Sequence, residues 1–384
     1  KWIKYDQNSD HMPLVKSLQG HGTGWCTAGE ETAQTQLKGG DFHIYYSNDP
    51  KGNPTIPRVA IRMEQNKIAE VRGIAPDQNL DPYIADVADQ KLDKFPDGKR
   101  YKKKVADMKH LTEIYKVHQA QGELTKEDLK FLYEIDNKIE GFGYDRDPRI
   151  EELLETRDIK SDLTLIFDCQ PGQISTSQEE ALSGDIKYHY GDLYLMDLTS
   201  AEGLKLPDTV GGTLFLSRLT SAEGLKLPDT VGGDLYLNDL TSAEGIKLPD
   251  TVDGYLNLSG LTSAEGLKPP DIVGGDLDLA SLTSAEGLKL PDTIGGYLNL
   301  PNLTSAEGLK LPDTIGGTLI LTGLTSAEGL KLPDTIGGTL ILTGLTSAEG
   351  LKLPDTIGGI LDLRNLTSAE KEELKKKYPN LKFI

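Results

Sequence analysis

The sequence has 384 residues, a hydrophobic fraction of 37%, an aromatic fraction of 6%, 41 glycines and 20 prolines. That length exceeds what one core serves and points to two or three domains, and the composition suits a turn-rich, thin-cored repeat chain unless the chain is disordered. A formal charge of −19 argues against nucleic acid or anionic membrane binding by the whole chain, and two cysteines, Cys26 and Cys169, provide no disulfide framework.

No apolar run approaches the roughly 20 residues of a membrane span. The chain starts at Lys1 rather than Met, which leaves room for a removed targeting segment and keeps the compartment open between cytoplasmic and secreted.

In chain order, residues 1–95 read as an α+β domain. A helix is expected from Trp25-Cys26-Thr27-Ala28 through Leu37, stopped by Gly39-Gly40. Asp41 to Tyr46 alternates as a strand, with a turn through Asn48 to Pro54. Arg58 to Met63 and Lys67 to Arg72 form a hairpin around Gln65-Asn66, and a helix from about Pro82 to Leu92 closes the domain. The order WCTA, small-residue helix, GDFHIYY strand, hairpin, RGI and QN resembles the PcfJ-like proteins of conjugative elements over roughly residues 20–82. The resemblance implies a module of a mobile element without fixing an activity.

The chemistry this region offers centres on Cys26. The stretch His21-Gly22-Thr23-Gly24-Trp25-Cys26 puts a thiol at a predicted helix start, where the helix N-terminus favours thiolate and supplies N–H donors for an oxyanion. His43 is the candidate base, and Asp81 or Asn79 the group that orients it. The plainer reading makes Cys26 a small core residue beside Trp25. Likewise, alternation puts His43 on the face opposite Phe42 and Ile44, where solvent is expected. Arg58, Arg62 and Arg72 read either as an anion site or as exposed strand charges.

Residues 96–161 are expected to be a helical connector, with Thr125 and Asp128 capping a helix over Leu129 to Ile135. The run Lys99-Arg100-Tyr101-Lys102-Lys103-Lys104 fits a solvated helix face better than a nucleic-acid contact. His110 and His118 lie eight residues apart and no CxxC occurs, so neither a metal site nor a cofactor is expected.

Residues 162–191 (opening DLTLIFDCQPGQIS) read as an N-terminal cap in which Cys169 packs, 192–365 as the repeat array, and 366–384 as a capping helix. LTSAEG or LTSAE recurs every 21 residues from Leu198 to Leu366, and residues 318–338 and 339–359 are identical. Leucines kept in fixed register rule out disorder. In residues 232–252, Leu235-Tyr236-Leu237 reads as a strand and Thr241-Ser242-Ala243-Glu244 as a helix start stopped by Gly245. Leu248-Pro249-Asp250 ends the return path and Gly232-Gly233 makes the corner. No unit buries enough apolar surface to fold alone, so neighbours must stack. After Leu366, Lys371 replaces the stopping Gly and Thr367 with Glu370 opens a true helix.

These features resemble the leucine-rich-repeat family, particularly its short bacterial forms, over roughly residues 190–366. The family's Asn three positions after the second strand leucine is here Leu198, Leu219, Leu240 and their equivalents. Without that asparagine ladder, a straighter β-solenoid replaces the horseshoe as an alternative.

The variation lies on the strands. The outward position runs Tyr194, Phe215, Tyr236, Asn257, Asp278, Asn299, Ile320, Ile341, Asp362, and the position before the strand includes Tyr255 and Tyr297. A constant framework with a varied face, aromatic in three adjacent coils, is what a recognition array shows. The expected architecture is therefore multidomain α/β: an N-terminal α+β domain, a helical connector and a leucine-rich-repeat-like β-solenoid. The expected function is binding of a protein partner of bacterial type through the sheet face, with the N-terminal domain docking or acting on it. The rival readings are a cysteine-dependent transferase or hydrolase targeted by its repeats, and a nucleic-acid accessory factor of a mobile element, although nucleic acid is not the expected partner.

Overall fold

Between Phe42 and Gly73 large apolar side chains alternate along three runs, and the computed structural model makes strands of them. It describes residues 1–21, 29–64, 67–74, 82–142, 146–354 and 356–384. The chain divides into two compact units, 1–156 and 157–384.

In the first unit, β1 (Trp2–Tyr5), β2 (Phe42–Asn48), β3 (Pro54–Glu64) and β4 (Lys67–Gly73) form an antiparallel sheet in that order. Phe42, Ile44, Tyr46 and Ala60 pack against Leu14, Val15 and Leu18 of α1 (Met12–Leu18) and Ala33 and Leu37 of α2 (Glu30–Gly39). The other face is covered as well. Ile61, Met63 and Ile68 meet Leu92 of α3 (Pro82–Leu92) and Tyr101 of α4 (Gly98–Gln119), while Val59 meets Ile84 and Ala88. Tyr101 also accepts the Val71 N–H through its hydroxyl at 2.9 Å. Helix α4 thus belongs to this core, as do α5 (Lys126–Leu132) and α6 (Pro148–Glu155) to this unit. The expected cap of α5 is present, with Asp128 N–H donating to Thr125 Oγ1 at 3.1 Å.

The second unit opens with α7 (Ile159–Phe167), capped by Asp158, whose carboxylate accepts the Ser161 N–H. Leu163 and Ile166 are buried three apart while Leu165 is 50% exposed, a helical period. The strand β5 (Ile174–Ser175), α8 (Gln178–Ala181) and β6 (Tyr188–His189) lead into the repeats.

Each coil then carries two short strands rather than one. In the coil around Leu235 these are Thr230–Val231 and Leu235–Tyr236, separated by the Gly232-Gly233 corner. The first set stacks into a ten-stranded parallel sheet (the threonine sheet) that begins with β5 and β6, and the second into a nine-stranded one (the leucine sheet). Register is strict at 21 residues: Leu235 pairs with Leu214 and Leu256, Thr230 with Thr209 and Thr251. Val231, Leu235, Leu237, Leu240, Ala243, Ile246 and Leu248 all point inward and join one continuous core. The third side is a turn, not a helix start. Ile246 N–H donates to Ala243 O at 3.2 Å, Gly245 has φ +78°, and Ser242 Oγ accepts the Glu244 N–H at 3.2 Å. A positive φ at the third turn position is the type II pattern, which glycine supplies.

The far end closes as expected. Helix α9 (Ser368–Lys377) starts at a capping box of Thr367 and Glu370. Glu370 also accepts the Ala348 N–H at 3.0 Å, and Tyr378 Oη accepts the Leu353 N–H at 3.2 Å. The last residues bond to the edge of the leucine sheet: Leu361 N–H donates to Lys382 O and Ile384 N–H to Leu361 O.

Candidate interaction face

The face is built from the leucine sheet's alternation. Leu235 and Leu237 are buried, so Asp234, Tyr236 and Asn238 point out. Repetition makes three columns, each advancing by one coil.

The middle column is what the sequence singled out. Tyr194, Phe215 and Tyr236 stack with ring centroids 4.7 and 4.9 Å apart and planes 9° and 5° from parallel. Those separations equal the spacing of paired strands, so backbone register sets the stack. Phe215 spends both faces on its neighbours, whereas Tyr194, with a ring on one side, remains 47% exposed, as does Met196 beside it. Tyr255 of the first column closes the stack edge-on, 5.6 Å from Tyr236, and donates its hydroxyl to Asp278 Oδ2 at 3.0 Å.

Further along, the column turns polar and then aliphatic. Asn257 Oδ1 accepts the Ser259 N–H at 3.0 Å, and Asn299 Nδ2 donates to Asp278 Oδ1 at 3.0 Å. Ile320 and Ile341 follow, half-buried, while Tyr297 in the first column is 48% exposed. Asp362 ends the column buried, held by Arg364 at 2.9 Å.

The first column has a role that reading it as surface variation missed. Asp192 Oδ1 accepts the Thr213 N–H at 2.8 Å, Thr213 Oγ1 the Asp234 N–H at 3.2 Å, and Asp234 Oδ1 the Tyr255 N–H at 2.8 Å. Asp276 does the same for Tyr297, and Thr318 for Thr339. Each side chain ties its coil to the next, where an asparagine ladder was missing. The recurrence of Asp and Thr, both short acceptors, was the available signal.

The carboxylates also govern the phenols. Hydrogen bonds to Asp192 and Asp276 raise the pKa of Tyr194 and Tyr297. Burial and then Asp234 raise that of Tyr236, and burial and then Asp278 that of Tyr255. The phenols therefore stay neutral donors while the negative charge rests on the aspartates.

The other candidate residues fall elsewhere. Cys26 and Asp81 lie outside the described residues. His43 is not solvent-facing: it is 5% exposed, set edge-on to the Phe95 ring at 5.2 Å, because α3 and α4 cover the sheet face onto which alternation turns it. Burial, and after it the Lys91 charge, lowers its pKa to about 4. A second histidine, His189, is buried in the cap and hydrogen-bonded to Ser175 Oγ at 2.9 Å and to Asp192 O at 3.1 Å. The carbonyl requires Nε2 to donate, so Nδ1 accepts the serine proton. This pair is sealed from solvent and ties the cap together. The basic run is largely spent on ion pairs, Arg100 with Glu140, Lys102 with Asp93 and Lys103 with Asp107. Arg72 pairs with Glu70, and Arg58 donates to Ser47 Oγ at 3.4 Å. Cys169 is a free, half-buried thiol at the end of α7. Among the described residues there is no cluster of three metal-ligating side chains, and no helix is long and apolar enough to cross a membrane.

No family model matches the sequence, and neither a curated protein nor a solved structure does, so the leucine-rich-repeat and PcfJ-like resemblances gain no support from these comparisons.

Proposed function

We propose that this chain is an interaction protein of bacterial type whose leucine-sheet face binds a protein partner, with the N-terminal unit serving as a docking or effector module. The observation that carries this reading is the solvent-facing stack of Tyr194, Phe215 and Tyr236 on a rigid, in-register sheet. Aromatic side chains with few rotatable bonds contribute large contact area at low entropic cost, and anchors of this kind dominate binding energies. The surrounding positions, Tyr255, Asn257, Asp278, Tyr297, Asn299, Ile320 and Ile341, give the face a sequence of chemistries along its length, on a framework that hardly changes. Extended repeat surfaces recognise partners in this manner.

The test compares pull-downs by the full chain, wild type against Tyr194→Ser/Tyr236→Ser, with Glu244→Gln/Glu265→Gln on the turn side as control. Loss of a partner from the first variant and its retention by the second is the expected result. A partner retained by the face variant and lost by the control refutes the assignment.

A further inference from the structure

We infer that the occupant of the aromatic end of this face is an extended basic peptide segment lying along the solenoid axis, with a lysine or arginine at every third residue. The inference rests on the face-binding reading and names the partner's chemistry.

The starting observation is a contrast among carboxylates. Asp162 at one end of the unit is paired with Arg157, and Asp362 at the other with Arg364. Between them Asp192, Asp234, Asp276 and Asp278 have no cationic partner within ion-pair distance among the described residues. All four lie on the leucine-sheet face around the aromatic stack. They are also fixed in place: backbone N–H groups hold Oδ1 of Asp192, Asp234 and Asp276, and the hydroxyls of Tyr194, Tyr236 and Tyr255 bond Oδ2 of Asp192, Asp234 and Asp278. Preorganised charge costs a partner less to engage than charge on mobile side chains. Residues 157–384 contain 33 Asp and Glu against 18 Lys and Arg, so the long-range field favours a cationic partner as well.

Spacing sets the partner's backbone. Asp192, Asp234 and Asp276 recur every second coil, and two strand spacings make about 9.5 Å. A polyproline II segment has three residues per turn and rises about 3.1 Å per residue, so residues i, i+3 and i+6 share one side about 9.3 Å apart. A β-strand would turn alternate members of that series away from the face. Phe215 has a ring on each face and Tyr236 lies between Phe215 and the edge-on Tyr255, so one face of Tyr194 is the single ring face of the stack without a ring neighbour, against a row of edges and acceptors. Sugar rings stack on open platforms. A peptide fits this surface better than a glycan.

The experiment measures fluorescence anisotropy of two labelled nonapeptides with the full chain. One is Arg-Pro-Ser repeated three times, and the other carries the same residues in blocks of three arginines, three prolines and three serines. Asp192→Asn/Asp234→Asn/Asp276→Asn removes the charge but keeps a carbonyl oxygen for each backbone N–H. Asp208→Asn/Asp229→Asn/Asp250→Asn removes three charges beside the threonine sheet and serves as control. Unchanged melting of both variants establishes that they fold. The spaced peptide is expected to bind at least about tenfold tighter than the block peptide, an advantage lost in the face variant and kept in the control. Equal binding of the two peptides, or equal loss in both variants, overturns the inference. So does occupation of the face by an uncharged glycan; that outcome leaves a binding face in place, whereas a partner unaffected by Tyr194→Ser/Tyr236→Ser removes the face reading itself.

Discussion

Burial decides the chemistry of single residues, and His43 is the clearest case. Its pKa falls from an ordinary 6.5 to about 4, because charging the ring beneath α3 and near Lys91 is unfavourable. The unfolded chain binds that proton more readily, so the stabilisation from keeping His43 neutral is complete above about pH 6.5. It is lost as the pH falls toward 4, by roughly 3 kcal/mol. The two tryptophans, Trp2 and Trp25, both precede the repeats in sequence, so tryptophan fluorescence carries no signal from a repeat residue. Urea titrations at pH 7, 5.5 and 4 should show that loss, and His43→Leu should flatten it. An equal slope in the variant would place the acid sensitivity elsewhere. Alternation correctly put His43 opposite Phe42 and Ile44, but could not tell that helices far along the chain return to cover that face. Leu235 was legible because period alone places it inside. Its replacement by Ala should cost about 2–5 kcal/mol, and an unchanged thermal melt would show that it is not core.

Single elements show where local signals mislead. Thr241-Ser242-Ala243-Glu244 and Thr367-Ser368-Ala369-Glu370 have the same sequence, yet only the second starts a helix. The residue that follows decides: Gly245 takes a positive φ and closes a turn, whereas Lys371 continues α9. The threonine-sheet strands escaped notice because two residues are too short to display an alternation. The corners beside them have a legible demand. A Cβ at Gly275 would fall 2.6 Å from the carbonyl carbon of Gly254 in the preceding coil, and that column is glycine in every coil, whereas the column before it admits Asp253. Gly275→Ala should therefore lower stability by about 1–3 kcal/mol through overpacking. A melting temperature equal to that of the wild type would mean that the corner yields.

At the scale of the molecule, the 21-residue period made the array and the helix that follows it readable from the sequence. The function of the first column was signalled only by the recurrence of Asp and Thr, whose meaning emerges when stacking in register brings Asp234 to the next coil. Stacking also creates a hazard at the last coil, where residues 382–384 occupy the edge of the leucine sheet. Deleting residues 379–384 should expose unpaired strand groups and produce concentration-dependent association in sedimentation velocity; a monomer at every concentration would show that α9 suffices as a cap.

The central claim is that the leucine-sheet face meets the partner. It is tested most directly by placing the photo-crosslinker p-benzoylphenylalanine at Tyr236, or at Thr230 on the other sheet of the same coil, in the full chain in cells. A partner crosslinked from position 236 and absent from position 230 is the predicted result. Crosslinking of that partner from position 230 alone, or equally from both, would contradict it.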